Sequence, residues 1–177
     1  MIIGLVGLAG SGKSTAAREL VRHYGLEPRK FAAPLKDMMR QFLRGQGATE
    51  REVERMIEGD LKEQPTPYLK GSTPRYAMQT LGTDWGRALI HEDLWCDAAA
   101  RSITRPTVFD DVRFENEAAA IRKAGGAVVC IVRPGVVRGS GHVSEDLAYT
   151  RHIVINDSTP ARMCAAIVEC WKIRTTP

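Results

Sequence analysis

Apolar residues follow two rhythms along this chain. Ile2-Ile3-Gly4-Leu5-Val6, Thr107-Val108-Phe109-Asp110 and Ala127 to Val132 are nearly continuous apolar blocks and read as strands, with Arg29-Lys30-Phe31 and Ile153-Val154-Ile155 as shorter ones. Between them the spacing becomes helical. Lys13 to about His23 is one such stretch, and Pro34 to Leu43 sets Leu35, Met38, Met39 and Phe42 on one face. Thr49 with Glu52 three residues later predicts a capping box at the start of a helix ending near Ile57. Further helices are expected over Arg75 to Ile90, Asp93 to Ser102 and Glu115 to Lys123, and Thr159-Pro160 opens the last one. Residues 59–74 hold Gly59, Pro65, Pro67, Gly71 and Pro74, too many breakers for regular structure, and read as a long functional loop.

Strands that alternate with helices predict an α/β fold: five mostly parallel strands with helices on both faces. Ligands are then expected at the carboxyl ends of the strands. No repeat, low-complexity tract or linker divides the sequence, so residues 1–177 are expected to form a single domain. The start, Met1 to Gly7, lacks a basic segment and a cleavage site and does not read as a signal peptide. No apolar run approaches the ~20 residues that span a bilayer.

The first chemistry lies just after the first strand. Gly7-Leu8-Ala9-Gly10-Ser11-Gly12-Lys13-Ser14 fits G-x-x-x-x-G-K-[ST] at every position. Glycines let such a loop curl so that backbone N–H groups point at phosphate oxygens, and the helix start adds its positive dipole end. Gly10, Ser11, Gly12, Lys13, Ser14 and Thr15 are therefore candidates for the triphosphate of ATP. Lys13 would reach the β- and γ-phosphates, and Ser14 would ligate Mg²⁺. The strand ending in Asp110-Asp111 supplies the opposing acid. Spacing alone leaves either residue facing the metal; Asp111 is assigned to it, with Arg113 beside it.

Lys36 follows the second strand, and Arg75, Gln79 and Arg87 stand at helical offsets of 4 and 12. An arginine can grip a phosphate bidentately and a glutamine amide can read a base edge, so these residues suit an acceptor. Arg133 and Arg138 flank the glycine-rich stretch Gly135 to Gly141, and Arg151 precedes the last strand. Such arginines suit a lid that closes over the triphosphate. His142 reads as structural. The net charge of +4 and pI near 9.0 favour an anionic partner, but the basic residues are dispersed, which fits a small phosphorylated ligand better than nucleic acid. Cys96, Cys130, Cys164 and Cys170 have no metal-ligand spacing and read as reduced thiols of a cytoplasmic protein.

Five segments in this order resemble the deoxynucleoside monophosphate kinases of tailed bacteriophages. They are Gly7 to Ser14; Phe31-Ala32-Ala33-Pro34-Leu35-Lys36; Arg75 to Arg87 with its Gln-Thr-Leu-Gly-Thr core, and Trp95 after it; Asp111-Val112-Arg113-Phe114-Glu115-Asn116-Glu117; and His142-Val143-Ser144-Glu145 leading to Asn156-Asp157. The resemblance implies transfer of the γ-phosphoryl group of Mg·ATP to a dNMP. It implies an acceptor region over about 34–104 with Lys36, Arg75, Gln79, Arg87, Trp95 and Arg113 around the acceptor. A lid over about 133–150 would bring Arg133 and Arg138 to the donor. No nucleic-acid or membrane partner is expected, and a homodimer is left open. A P-loop fold that has lost activity is disfavoured by the intact Lys13 and Ser14, and two further alternatives stand beside the resemblance. One is another small P-loop kinase, acting on dephospho-coenzyme A or a sugar acid; the other is a P-loop nucleotide switch, which the lack of a basic run and of heptads disfavours.

Overall fold

In a computed structural model, residues 1–136, 150 and 152–175 are described. Five strands, β1 (Ile2–Val6), β2 (Glu27–Arg29), β3 (Thr107–Phe109), β4 (Ala127–Val132) and β5 (His152–Ile155), form one sheet in the order β2-β3-β1-β4-β5. Every neighbouring pair is parallel. The central strand explains its own position: Ile3 and Leu5 are fully buried and pack with Ala16, Leu20, Val129, Ile131 and Ile167. Helices α1 (Lys13–Tyr24) and the last helix, α7 (Pro160–Thr175), share that core. On the other face Ile121, from α6 (Glu115–Lys123), packs so close to Gly4 that a Cβ there would strike its side chain. Both faces are thus covered, as a parallel sheet requires.

β2 ends two residues before its expected end. Phe31 leaves the ladder because its N–H is drawn to the Asp111 carboxylate, 3.0 Å away, while its ring stacks on Phe109 at 4.6 Å. Pro28 within β2 costs no ladder bond on one side, because β2 is an edge strand.

The chain divides into two compact units, one made of Met1–Phe31 with the described part of Ala99–Pro177, the other of Ala32–Ala98. The second unit is helical. It contains α2 (Ala33–Gly45), α3 (Glu50–Ile57) and α4 (Pro74–Thr80), a π-helical stretch Leu81–Ile90, and the start of α5 (Leu94–Arg101). Its core gathers Met39, Leu43, Val53, Met56, Ile57 and Met78. The capping box at Thr49 forms as read, with Glu52 N donating to Thr49 Oγ1 at 3.3 Å and Thr49 N to Glu52 Oε2 at 2.9 Å. Outside the core, Lys36 pairs with Glu58 at 2.8 Å, Arg40 with Glu54 at 2.7 Å and Arg44 with Glu50 at 2.6 Å.

Two expectations change in this unit. The stretch 59–74 is not wholly irregular: Thr66 caps a 3₁₀ turn, Pro67–Leu69, and Leu61, Tyr68 and Leu69 pack on the helical core. The helix expected over Arg75 to Ile90 is α-helical only to Thr80. Beyond it the Gly82 carbonyl accepts the Trp95 indole N–H at 2.8 Å, and the ring lies against Gly86. A carbonyl occupied from the side weakens its claim on the α-helical ladder, and a wider i→i+5 turn results. A Cβ at Gly86 would stand 2.5 Å from Trp95 Nε1. Gly86→Ala is therefore expected to destabilise the protein by about 1–3 kcal/mol, through overpacking. Urea denaturation checks this, and a variant as stable as wild type would show that Trp95 moves freely.

Candidate functional site

Between β1 and α1 the backbone must reverse sharply while keeping its N–H groups pointed inward. Gly12 has φ +106°, and a Cβ there would strike the Asn156 carboxamide; at Gly7, with φ +146°, it would strike the Ile131 carbonyl. Only glycine satisfies both conditions at either position. Lys13 then arches back over the loop, its Nζ donating to the carbonyls of Gly7 at 2.6 Å and Leu8 at 2.8 Å. Burial pushes the Lys13 ammonium below the ordinary lysine range, and the nearby Arg113 charge adds to this, while Asp110 and Cys130 oppose it. Ser11 is buried, and its Oγ has no hydrogen-bond partner among the described residues. From the end of β5, Asn156 Nδ2 donates to the Ser11 carbonyl at 2.8 Å and so clips the loop to the sheet.

The two acids after β3 separate cleanly. Asp110 Oδ2 accepts from Ser14 Oγ at 3.3 Å, and its other oxygen lies 3.9 Å from Lys30 Nζ. Asp111 instead accepts the Phe31 amide. Of the two, Asp110 is the acid beside Ser14, while Asp111, to which the metal was assigned, has its Oδ1 on the Phe31 N–H at the end of β2. Arg113 is exposed but near enough to act on the Lys13 charge. Its backbone N–H, with that of Phe114, donates to the buried Glu117 carboxylate at 2.7 and 3.2 Å, which holds the turn that presents it.

In the helical unit, Lys36 is pinned by Glu58, and Arg75 is paired with Glu63. Gln79 stands one turn beyond Arg75, and both are exposed. Arg87 lies on the π-helical stretch, where each residue turns through less than 100°, so α-helical spacing misjudges its direction. It donates to the Glu92 carbonyl at 3.1 Å. Trp95, expected at the acceptor, is only 4% exposed, and its indole N–H donates to the Gly82 carbonyl. The same unit holds an apolar pocket of about 540 Å³ walled by Met38, Phe42, Leu81 and Trp85, and neither Arg75 nor Gln79 lines it. Arg133 is exposed just past β4. Arg138, His142 and Arg151 lie outside the described residues.

Sequence reasoning passed over Asn156, Lys30 and Glu117 as parts of this site. Their contacts cross 145, 80 and 4 positions respectively, and only the last was within reach of a local pattern. Among the described residues no cluster of three or more His, Cys, Asp or Glu could hold a metal by itself, and no helix is long and apolar enough to cross a membrane.

The model of the deoxynucleotide monophosphate kinase family matches residues 69–167, more than half of the chain. A protein of Acanthamoeba polyphaga mimivirus, provisionally named a deoxynucleotide monophosphate kinase, is 31% identical over 96% of this chain and 95% of its own length. Among solved structures, the shikimate kinase of Aquifex aeolicus superposes with a TM-score of 0.51 at 13% identity, covering 97% of this chain and 96% of its own, a likeness of fold. With its phosphate cradle intact, the chain is a P-loop phosphotransferase and belongs to the deoxynucleotide monophosphate kinase family.

Proposed function

We propose that the protein transfers the γ-phosphoryl group of ATP, with Mg²⁺, to a deoxynucleoside monophosphate, giving ADP and the deoxynucleoside diphosphate. The observation that carries this reading is the pairing of Ser14 with Asp110 at 3.3 Å, next to a complete phosphate loop, in a chain of this family. A hydroxyl and a carboxylate are hard oxygen donors, and two protein ligands with water completing the shell are what Mg²⁺ favours, so the residues fit the ion. Bound there, the ion would neutralise charge on the phosphate oxygens.

The chain's own groups then divide the work. Backbone N–H groups from Gly10 to Thr15, with the start of α1, hold phosphate oxygens. Lys13 exchanges its carbonyl partners for the terminal phosphates, and Arg113 adds a second positive charge where negative charge grows. Arg133 and Arg138 serve the donor side. Lys36, Arg75, Gln79 and Arg87 serve the acceptor, without Trp95. Four free thiols suit the reducing cytoplasm in which this reading sets the enzyme.

The test is to incubate the protein with Mg·ATP and each dNMP and rNMP and to follow ADP. ADP formation that depends on a dNMP is expected. ADP formed without any acceptor would point to a nucleotide switch, and ADP formed only with dephospho-coenzyme A or a sugar acid would point to a different kinase. Two variants sharpen the acceptor side. Arg75→Lys should raise KM for every accepted dNMP by a similar factor, because a phosphate contact is common to all. Gln79→Leu should change the ranking among bases, because an unmatched amide contact costs about 1–3 kcal/mol only where the base used it. Equal losses for all bases with Gln79→Leu would show that the amide does not read the base.

A further inference from the structure

The stretch 59–74 carries a cation that the motifs do not explain. Lys62 follows α3 in the turns beyond Glu58, and its carbonyl accepts the Arg75 N–H at 2.9 Å, which fixes this turn to the first turn of α4. It is half-buried, and among the described residues its ammonium lies in no ion pair. Lys36 and Arg75 are close enough for their charges to press on it, and Glu58 and Glu63 are close enough to support it. Those two carboxylates are already engaged, Glu58 with Lys36 at 2.8 Å and Glu63 with Arg75. Lys36, Lys62 and Arg75 are thus neighbouring cations, with the carboxylates of Glu58 and Glu63 among them. A half-buried ammonium in such company is disfavoured unless a further anion joins it. The three come from α2, from the loop and from α4, and the bond from the Arg75 N–H to the Lys62 carbonyl ties the loop to α4.

We propose that Lys62, together with Lys36 and Arg75, forms the grip for the acceptor's phosphate, and that Glu58 and Glu63 compete with that phosphate for the same cations. This rests on the monophosphate-kinase reading and deepens it, since it assigns the phosphate end of the acceptor to a residue of the breaker-rich loop. A nucleoside monophosphate carries a near-dianionic phosphate, which can take three cationic donors where a single carboxylate takes one or two. The role of Lys62 is indifferent to the base.

The experiment measures KM for each dNMP and for ATP with the full-length protein, using wild type, Lys62→Met, Lys62→Arg and Glu63→Gln, with Lys123→Gln on the exposed part of α6 as a control. Lys62→Met should raise KM about tenfold or more for every dNMP while KM for ATP stays within about twofold. Lys62→Arg should recover most of the loss. Glu63→Gln should move in the opposite direction and lower KM for the dNMPs, because it removes a competitor and leaves the cations in place. Should Lys62→Met fold poorly, the Glu63→Gln result still decides, since a merely structural role gives no tighter acceptor binding. Wild-type turnover of dNMPs combined with an unchanged KM in Lys62→Met, or with a KM raised by Glu63→Gln, would overturn the grip and leave the kinase reading standing. No dNMP-dependent turnover by wild type would overturn the kinase reading, and the grip with it.

Discussion

Lys13→Ala is expected to lower kcat by about 10²-fold or more while the protein stays folded. The ammonium lies over the mouth of the phosphate loop, held by two carbonyls, and contributes no atoms to the apolar core. Removing it leaves the Gly7 and Leu8 carbonyls to water, a small loss, but it takes a fixed positive charge from the place where the transferring group gains negative charge. Steady-state turnover with a matched thermal melt separates the two effects. A well-folded variant with near wild-type kcat would show that the loop does not handle the reacting phosphates.

Asp110→Asn is expected to raise the Mg²⁺ concentration needed for half-maximal turnover by about tenfold or more, with nucleotide binding less affected. The matched comparison is Asp111. Asp111→Asn keeps an oxygen that can accept the Phe31 N–H and should leave the Mg²⁺ dependence near wild type. Asp111→Ala removes that acceptor and should cost about 1–3 kcal/mol of stability instead. A Mg²⁺ titration of the three variants, with denaturation curves, reads both properties. If Asp111→Asn were the variant that lost its Mg²⁺ response, the two acids would have exchanged roles.

The difference between these neighbouring acids shows where sequence reading stops. The phosphate loop was legible because covalent geometry forces it: positive φ at Gly7 and Gly12 and the reach of Lys13 are properties of adjacent residues. Asp110 and Asp111 differ in what faces them, and one partner, Phe31 N, lies 80 positions away. The same limit hid the early end of β2, because Lys30-Phe31 has the composition of a strand and leaves the ladder only for that long-range bond. The apolar spacing of Leu81 to Ile90 suits either helix type. What widens the turn is an indole donor 13 residues onward, and no pattern of neighbouring residues announces that Trp95, which the resemblance set at the acceptor, is drawn into the helix wall. Lys62 was invisible for the opposite reason, since a residue among breakers has no periodicity to betray its direction.

The ion pairs joining α2 to α3 have a mechanical consequence. Lys36, Arg40 and Arg44 advance along one helix by four residues at a time, while Glu58, Glu54 and Glu50 retreat along the other by the same step. Exposed pairs of this kind add little to stability. Their arithmetic acts as a ratchet: sliding one helix by a turn mismatches a tooth at each end, whereas apolar side chains at the same spacing would mesh nearly as well after the slip. Lys36 is the terminal tooth. An anion that captures it disengages one end of the ratchet, while Arg40 and Arg44 keep the two helices in step.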